Sequence, residues 1–314
     1  MAVPKQRSWQ HSSRHPWRRP SRRSSLGALL CCAALVPALT GCGLFGEEEK
    51  EDAEPVKVAS DTDFPQGSTM EKLHDAGTIR IGVKYDQPGI GYRESGADAP
   101  EGFDIEMARI IAGQLGIRPE KIKWVETQSQ NREKYLRDKT VDLVLASYSI
   151  TSERRELVGM AGPYYETGQQ LLVRKGDKNV KTPKDIAGKQ VCSAKGATSI
   201  PRIRKEYRAQ PVARDTYAQC VRQLLGGSVD AVTTDGAMLL GYAAQRPDEL
   251  KVIGEQISSE RYAVGYRKGD SEMCDFINQS LTRSFRDGTW TAALNKTLWK
   301  TSGAVGYPTL DPCT

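Results

Sequence analysis

The sequence predicts an α/β protein built of two lobes with a cleft between them. Strand-like apolar runs alternate with helix-like stretches after about residue 78, and this alternation starts again near residue 189. Two further extended runs, one between the two units and one after the second, would pass between the lobes as a two-stranded hinge. Clefts of this kind are the usual location of small-ligand sites, so we expect the site there.

The first unit has the order strand, helix, strand, helix, strand. Its first helix is predicted over 104–115, because Ile105, Ala108, Ile111 and Leu115 recur at helical spacing. The other elements are strands at 78–83, 122–125 and 141–146 and a helix at 132–139. Strands joined by helices in this way favour a mainly parallel sheet.

The second unit repeats the pattern. Strands are predicted at 189–193 and 229–233, and helices at 200–207, 217–225 and 237–244. The two hinge segments are predicted at 169–173 and 262–266, where the residues are apolar and strand-like.

The start of the chain has the parts of an export signal. Seven Lys and Arg residues and no acidic residue precede a short apolar run at 26–38. A membrane-spanning helix would need ~20 apolar residues, and this run is shorter and contains Pro37. The tetrapeptide Leu-Thr-Gly-Cys that ends at Cys42 resembles a bacterial lipobox, which implies a signal peptide over 1–41 and lipid on Cys42. We therefore predict a protein anchored at the extracytoplasmic face of the cell membrane, exported by the Sec or the twin-arginine route.

The composition gives no support for a nucleic-acid partner. The chain has 45 Lys and Arg against 39 Asp and Glu, but loss of the seven cations in the signal leaves 38 against 39. A nearly neutral body has no electrostatic attraction to nucleic acid. Residues 42–69 are acidic and poor in apolar side chains, so we predict a flexible tether between the lipid and the body.

Four cysteines remain in the body, which predicts two disulfides in an exported protein. They are Cys192, Cys220, Cys274 and Cys313. Three pairings are possible, and Cys192–Cys220 with Cys274–Cys313 is favoured because each pair lies within one predicted lobe. A metal site is the alternative, but there is no Cys-x-x-Cys spacing and His74 is the only histidine after the signal. No metal and no cofactor are expected.

Motifs along the body resemble, in order and spacing, the polar-amino-acid-binding family (family 3) of extracellular solute-binding proteins of ABC importers. They are GFDIE at 102–106, VDLVLA at 141–146, SITSER at 149–154, GPYYE at 162–166, DIAGK at 185–189, KGATS at 195–199, VDAV at 229–232, TD at 234–235 and DGTW at 287–290. The segment KYDQPG at 84–89 is also similar to glutamate-binding lipoproteins of high-GC Gram-positive bacteria. The resemblance covers nearly all of the body.

The resemblance implies a two-lobed clamshell of the periplasmic-binding-protein type II, in which each lobe is a mixed sheet flanked by helices. Lobe 1 would comprise 70–168 and 264–314, and lobe 2 would comprise 169–263. Such a protein binds a free amino acid between its lobes and delivers it to an ABC permease in the membrane. We expect a monomer that is not an enzyme.

The resemblance assigns the ligand's α-carboxylate to Arg154. A planar guanidinium holds a carboxylate with two parallel charge-assisted hydrogen bonds, which a lysine cannot do. The alternative is a surface arginine at the charged start of a helix, where Arg155 is its neighbour.

The α-ammonium is assigned in the same way to Asp235, which could also be a helix N-cap. Ser147 and Ser149 match family positions that offer a carbonyl or hydroxyl group to the ammonium and the carboxylate. Thr198 would donate a hydrogen bond to the carboxylate from lobe 2. Ser and Thr residues in such turns can instead be local caps.

Two further cations are expected to contact the ligand's side chain. By resemblance, Lys84 holds the position of the side-chain reader of acidic-amino-acid binders, and Arg132 lies in a segment similar to glutamate- and aspartate-binding members. Beside Arg154 these cations would repel one another unless the ligand brings two carboxylates, so a dicarboxylic amino acid fits best. Glutamate is the first candidate, with aspartate or glutamine as alternatives. The alternative is that Lys84 points to solvent and Arg132 pairs with Glu133 or Glu126.

Two aromatic residues are candidates for contact with the apolar part of the ligand. Tyr85 or Phe103 could pack on the methylene stem of glutamate. Either residue could equally belong to the core.

Three functions are compatible with this resemblance. The first is a lipid-anchored binding protein of an ABC importer. The second is a sensor lipoprotein that uses the same site but reports to a membrane signalling partner or kinase. The third is an enzyme similar to amino-acid dehydratases, which would need a general acid or base in the cleft. His74 lies outside the cleft motifs, which leaves Glu126 or Glu166 for that role.

Overall fold

Two five-stranded sheets form the framework of the protein, whose computed structural model describes residues 57–60, 62–298 and 305–313. The predicted signal peptide, Cys42 and most of the predicted tether lie outside these residues. No helix in the described part of the chain is both long enough and apolar enough to cross a membrane.

The strands form two mixed sheets and a short hairpin. In chain order they are β1 (Ile79–Val83), β2 (Asp86–Gln87), β3 (Gly91–Tyr92), β4 (Ile122–Glu126), β5 (Leu143–Val144), β6 (Gly159–Thr167), β7 (Gln169–Arg174), β8 (Gln190–Ala194), β9 (Gln210–Arg214), β10 (Ala231–Asp235), β11 (Leu250–Ile253) and β12 (Glu260–Tyr266). The first sheet has the order β4-β1-β5-β12-β6, and the second has the order β11-β7-β10-β8-β9. Each sheet contains parallel pairs, such as β1 with β4 and β8 with β9, and antiparallel pairs, such as β12 with β6 and β10 with β7.

Helices flank both sheets. In chain order they are α1 (Thr69–Ala76), α2 (Phe103–Gln114), α3 (Arg132–Arg137), α4 (Ser152–Leu157), α5 (Ser199–Lys205), α6 (Tyr217–Leu225), α7 (Gly236–Gln245), α8 (Ser271–Asp287) and α9 (Thr289–Thr297). Helices α1 to α4, α8 and α9 lie with the first sheet and form lobe 1, and α5 to α7 lie with the second sheet and form lobe 2. The predicted fold class of two α/β lobes with mixed sheets is confirmed.

Helix α2 shows how a local pattern produces its element. It starts directly after Gly102, whose φ of 118° belongs to a backbone region that favours glycine. Asp104 and Glu106 place negative charge in the first turn, where the helix dipole favours it. The apolar residues Ile105 and Ile111 are fully buried against the sheet, as their helical spacing predicts.

The crossings between the lobes lie beside the segments predicted for them. The runs at 169–173 and 262–266 belong to strands β7 and β12 inside the two sheets, and the chain crosses at Gly168 and at 254–259. Glu260 pairs with Thr167 of β6, so residues 260–263 belong to lobe 1 and the predicted boundary after residue 263 is misplaced. The physical reason is that an apolar alternating run marks burial within a sheet, whereas the crossing segments themselves are polar or glycine-rich.

The body begins earlier than predicted. The Ala59 amide donates a hydrogen bond to the Gly113 carbonyl at 2.9 Å. Phe64 packs against the core and makes edge contacts with the rings of His74 and Phe276. Most of the described residues at the end of the predicted tether are therefore part of lobe 1.

Both favoured disulfides are present. Cys192–Cys220 joins β8 to α6 within lobe 2, and Cys274–Cys313 joins α8 to the end of the chain within lobe 1. Each one therefore stabilises a single lobe and leaves the movement of the lobes free.

Candidate functional site

A small cavity of about 10 Å³, room for about one water molecule, lies between the lobes. Lobe 1 lines it with Ser129, Arg132, Ser147, Ser149 and Arg154. Lobe 2 lines it with Ala197, Thr198, Tyr217, Thr234, Asp235 and Met238. The structure thus brings together six of the nine predicted ligand-binding residues.

Arg154 enters the cavity from the short helix α4. The Thr151 hydroxyl caps this helix by accepting a hydrogen bond from the backbone amide of Arg154. Arg154 is almost fully buried. Its Nη1 donates to the Ser149 carbonyl at 2.6 Å and its Nη2 to the Gly196 carbonyl of lobe 2 at 2.9 Å, while Nε lies 3.4 Å from Glu133 Oε1. The structure therefore excludes the surface alternative for Arg154.

Arg132 is committed mainly to the walls of the cavity. Its Nε donates to the Ser129 carbonyl, Nη1 to the carbonyls of Ala146 and Ser147, and Nη2 to the Gly196 carbonyl. These bonds use four of the five N–H groups of a guanidinium. The predicted alternative partner Glu133 instead pairs with Arg154.

The guanidinium groups of the two arginines both lie close to the ring of Tyr148. The guanidinium carbons of Arg132 and Arg154 lie 4.4 Å and 5.1 Å from the centroid of the Tyr148 ring. Cations over an aromatic face are attracted to its quadrupole. Tyr148 therefore offsets part of the repulsion between two neighbouring guanidinium groups.

Lys84 is buried beside the cavity and does not point to solvent, so that alternative is wrong. Its Nζ donates to the Ser129 hydroxyl at 2.8 Å, and only 4% of the residue is exposed. Burial lowers the pKa of Lys84 to about 7, and the nearby Arg132 charge adds to this effect. Lys84 thus acts on the cavity through Ser129, which lines it.

Asp235 faces the arginines from lobe 2. It occupies the N-cap position of α7, but its side chain makes no capping hydrogen bond and accepts instead from the Tyr262 hydroxyl at 2.6 Å. Burial raises the pKa of Asp235 to about 7, and the neighbouring Glu260 carboxylate raises it further. The side chain is therefore directed to the cleft, as the ligand role requires.

Ser147 is held in a strained backbone conformation. Its φ of 44° lies in the left-handed region, which a serine adopts rarely. Its amide donates to Asp104 Oδ2 at 2.7 Å, and the other oxygen of Asp104 accepts from the Tyr164 hydroxyl at 2.6 Å. Burial raises the pKa of Asp104 to about 6. Asp104 therefore fixes the turn that carries Ser147 and Ser149.

The remaining predicted residues lie elsewhere or have other partners. Phe103 is fully buried among Tyr164, Tyr165 and Trp290, so it belongs to the core of lobe 1. Tyr85 lies under the Arg93 guanidinium, 5.2 Å from it, and is not among the residues that line the cavity. Phe103 is therefore a core residue and does not contact the cavity.

Sequence reasoning missed several lining residues, including Ser129, Tyr217 and Met238. Tyr217 is the first residue of α6, behind a capping box of Thr216 and Gln219. That signal marks a helix start but does not tell which face the first side chain takes. Met238 follows Asp235 by one helical turn, which is the one signal that could have placed it in the cleft.

Comparison with known proteins decides the family. A family model of the bacterial extracellular solute-binding proteins, family 3, matches residues 79–300. The chain belongs to this family. The resemblance drawn from the motifs is therefore confirmed.

Two named relatives of this family 3 solute-binding protein show what the chain is similar to. It is 36% identical over 254 residues to the glutamate-binding protein GluB of Corynebacterium efficiens, which covers 77% of this chain and 86% of the relative. It is 34% identical over 249 residues to the glutamine-binding protein of Geobacillus stearothermophilus, which covers 78% of this chain and 92% of the relative.

Solved structures of the same fold include binding proteins for other solutes. The solute receptor for L-cysteine of Neisseria gonorrhoeae has a TM-score of 0.70 at 29% identity and covers 75% of this chain and 96% of that one. An ancestral arginine-binding protein bound to arginine has a TM-score of 0.65 at 32% identity and covers 70% and 98%. The type II two-lobed fold of this solute-binding protein follows from these neighbours.

Proposed function

We propose that this protein captures a free amino acid, glutamate foremost, and presents it to an ABC permease. The observation that carries the proposal is the opposition of Arg154 in lobe 1 and Asp235 in lobe 2 across one small cavity. After the contacts described above, one N–H on each Nη of Arg154 is free among the hydrogen bonds of the described residues. An α-carboxylate against these groups and an α-ammonium against Asp235 would complete both charges.

The preference for glutamate rests on Lys84 and Ser129. An ammonium group can only donate, so Ser129 Oγ accepts from Lys84 and keeps its own hydroxyl proton for the cavity. The cavity therefore offers a donor, backed by a positive charge, to the side chain of the ligand. A carboxylate satisfies that donor best, and the relatives named as glutamate-binding agree with this choice.

Repulsion between the three cations gives weaker support for a second ligand carboxylate than the sequence alone suggests. Carboxylates of Asp104, Glu133 and Asp235 also lie near the three cations and balance part of their charge. Arg132 moreover uses most of its donors on backbone carbonyls. Discrimination between glutamate and glutamine is therefore assigned to Lys84 through Ser129, with glutamine as the second candidate ligand.

The proposed mechanism is capture by closure of the two lobes. Contacts that cross the cleft include the bonds from both arginines to the Gly196 carbonyl and the bonds from the amides of Tyr217 and Ala218 to Asp86 Oδ2. Closure would exclude water and so strengthen the charged hydrogen bonds to the ligand. The crossings at Gly168 and at 254–259 would absorb the change in backbone angles.

Membrane attachment through lipid on Cys42 would keep the protein beside its permease. A sensor with a kinase partner would use the same cavity, and glutamate uptake by cells with and without the protein distinguishes the two. An enzyme is not proposed, because the two acids considered for that role do not line the cavity. Of these, Glu166 instead forms an exposed ion pair with Arg261.

Thermal unfolding of the purified protein with each of the twenty amino acids tests the proposal. A ligand at a thousand times its Kd stabilises the folded state by about 4 kcal/mol, and L-glutamate should give the largest rise in Tm. Arg154→Ala should lose this rise, whereas the matched control Arg155→Ala, which removes an arginine paired with Asp311 outside the cavity, should retain it. If no amino acid raises the Tm of the wild-type protein, the proposal is wrong.

A further inference from the structure

Gln87 is a buried glutamine that none of the functions above uses. It is the second residue of the two-residue strand β2, and it is fully buried. Among the hydrogen bonds of the described residues, neither Nε2 nor Oε1 of its side chain has a partner. A buried primary amide without partners is unfavourable, so such a group in a folded protein calls for an explanation.

The hairpin of β2 and β3 places the side chain of Gln87 on the same side as Lys84. Gln87 pairs with Gly91 in this antiparallel hairpin. Directly paired residues of an antiparallel hairpin project their side chains from the same face. A Cβ atom on Gly91 would lie 3.0 Å from the Lys84 carbonyl oxygen and 3.2 Å from the Lys84 Cβ. The face of the hairpin that carries Gln87 therefore covers Lys84.

The same hairpin lies against lobe 2 beside the cavity. Strand β2 contacts α6 and α7, which supply the lining residues Tyr217 and Met238. The carboxylate of Asp86, the neighbour of Gln87, accepts a hydrogen bond from the backbone amide of Tyr217 at 2.7 Å. Gln87 thus lies between Lys84 of lobe 1 and the two helices of lobe 2, at the side of the cavity assigned above to the ligand's side chain.

The amide of Gln87 adds to the donor that Ser129 offers to the ligand. A glutamine side chain carries two N–H donors on Nε2 and an acceptor on Oε1. Nε2 can donate to a carboxylate or a carbonyl oxygen of the ligand's side chain, and Oε1 can accept from a ligand amide. An alkyl side chain would leave both atoms unpaired, so the site would reject apolar amino acids.

We propose that Gln87 binds the polar end of the ligand's side chain and so selects amino acids that carry a carboxylate or an amide there. This inference rests on the proposed function and deepens it. Lys84, through Ser129, sets the preference for glutamate over glutamine, whereas Gln87 excludes ligands with apolar side chains. The bound ligand supplies the partner that the buried amide needs.

Gln87→Met tests the contact, because methionine has an unbranched side chain of similar length and no amide. We expect the Kd for L-glutamate and for L-glutamine, measured by calorimetric titration, to rise about tenfold or more. The Tm of the ligand-free protein should stay the same or rise, because an apolar group replaces an unpaired buried amide. Gln279→Met, at an exposed position of α8, is the matched control and should change neither the Kd nor the Tm.

Gln87→Glu separates contact with the ligand from a general effect on lobe closure. The new carboxylate can accept from the side-chain amide of glutamine, but it repels the side-chain carboxylate of glutamate and pairs with Lys84. The affinity for L-glutamate should therefore fall about tenfold or more, whereas that for L-glutamine should change little. Weaker closure would instead lower both affinities by the same factor.

Several results would overturn the inference, and they differ from a failure of the proposed function. Unchanged affinity for both ligands in Gln87→Met refutes the contact, as does an equal loss of both affinities in Gln87→Glu. If circular dichroism shows that either variant does not fold, Gln87→Asn replaces it. Weaker binding of L-glutamate by that variant, with a smaller loss for the longer L-2-aminoadipate, supports the inference, and an equal loss or none refutes it. Absence of any amino-acid binding by the wild-type protein refutes the proposed function itself.

Discussion

Replacement of Gly241 by alanine tests whether the lobes close on the ligand as the structure shows them. Gly241 lies in the middle of α7 in lobe 2, and its Cα faces the loop between β2 and β3 of lobe 1. A Cβ atom at this position would lie 2.2 Å from the Pro88 carbonyl oxygen and 3.0 Å from its carbonyl carbon. Because the obstacle is backbone, the lobes must move apart by roughly 1 Å at this point to restore van der Waals contact.

The expected magnitude follows from this clash. Overpacking of a close contact costs about 1–3 kcal/mol, and the contact exists only when the lobes are together. The Kd for L-glutamate should therefore rise by about 5-fold to 150-fold. Alanine is favoured over glycine in a helix interior by about 1 kcal/mol, so the Tm without ligand should stay the same or rise.

Calorimetric titration and thermal unfolding measure the two effects separately. Gly176→Ala is the matched control, since a Cβ atom on Gly176 would meet no atom within 4 Å and Gly176 has no positive φ. It should leave both the Kd and the Tm nearly unchanged. If Gly241→Ala binds L-glutamate as tightly as the wild-type protein, the ligand-bound lobes do not meet at Pro88 and the closure argument is refuted.

Further predictions concern charge and covalent structure. Glutamate affinity should be highest near pH 7, because Asp235 must be ionised to hold the ammonium and Lys84 must be protonated to favour the side-chain carboxylate, and both have a pKa of about 7. Glutamine should show only the loss on the acid side, and an equal loss on the basic side for both ligands in titrations across the neutral range would contradict selectivity through Lys84. Lys84→Met should weaken glutamate binding by about tenfold with a smaller effect on glutamine, and an equal effect on both ligands would contradict the role given to Ser129. The double substitution Cys192→Ser and Cys220→Ser removes a disulfide between residues that are 28 positions apart. It should lower the free energy of unfolding, measured by urea denaturation, by about 3–4 kcal/mol. An unchanged free energy of unfolding would show that the disulfide does not restrict the unfolded chain.

The architecture and much of the cavity could be predicted from sequence because they depend on local patterns. Helical spacing located α2, and the order of the family motifs placed Arg154, Asp235 and Thr198 at one cavity. A resemblance to a family predicts which position holds which residue type. That is enough to predict the role of a residue that the whole family uses in the same way.

What could not be predicted depends on burial and on the direction of hydrogen bonds. Lys84 lies behind Ser129, which no spacing rule indicates, because the two residues are 45 positions apart and meet only when the turn at Ser129–Asn131 folds beside the end of β1. The hydrogen bond from the Thr198 hydroxyl to Glu260, 62 residues later, likewise depends on the folded chain and on no local pattern. The second crossing was misplaced for a similar reason, since the apolar run after Glu260 reflects burial in the first sheet.

Calorimetric titration of the purified protein with L-glutamate and with L-glutamine at neutral pH tests the central claim most directly. The account predicts binding of one glutamate per protein, tighter than glutamine, and loss of binding to both in Arg154→Ala. Binding of glutamine without glutamate would contradict the assignment of the side-chain donor, and retention of binding by Arg154→Ala would contradict the placement of the ligand in this cavity.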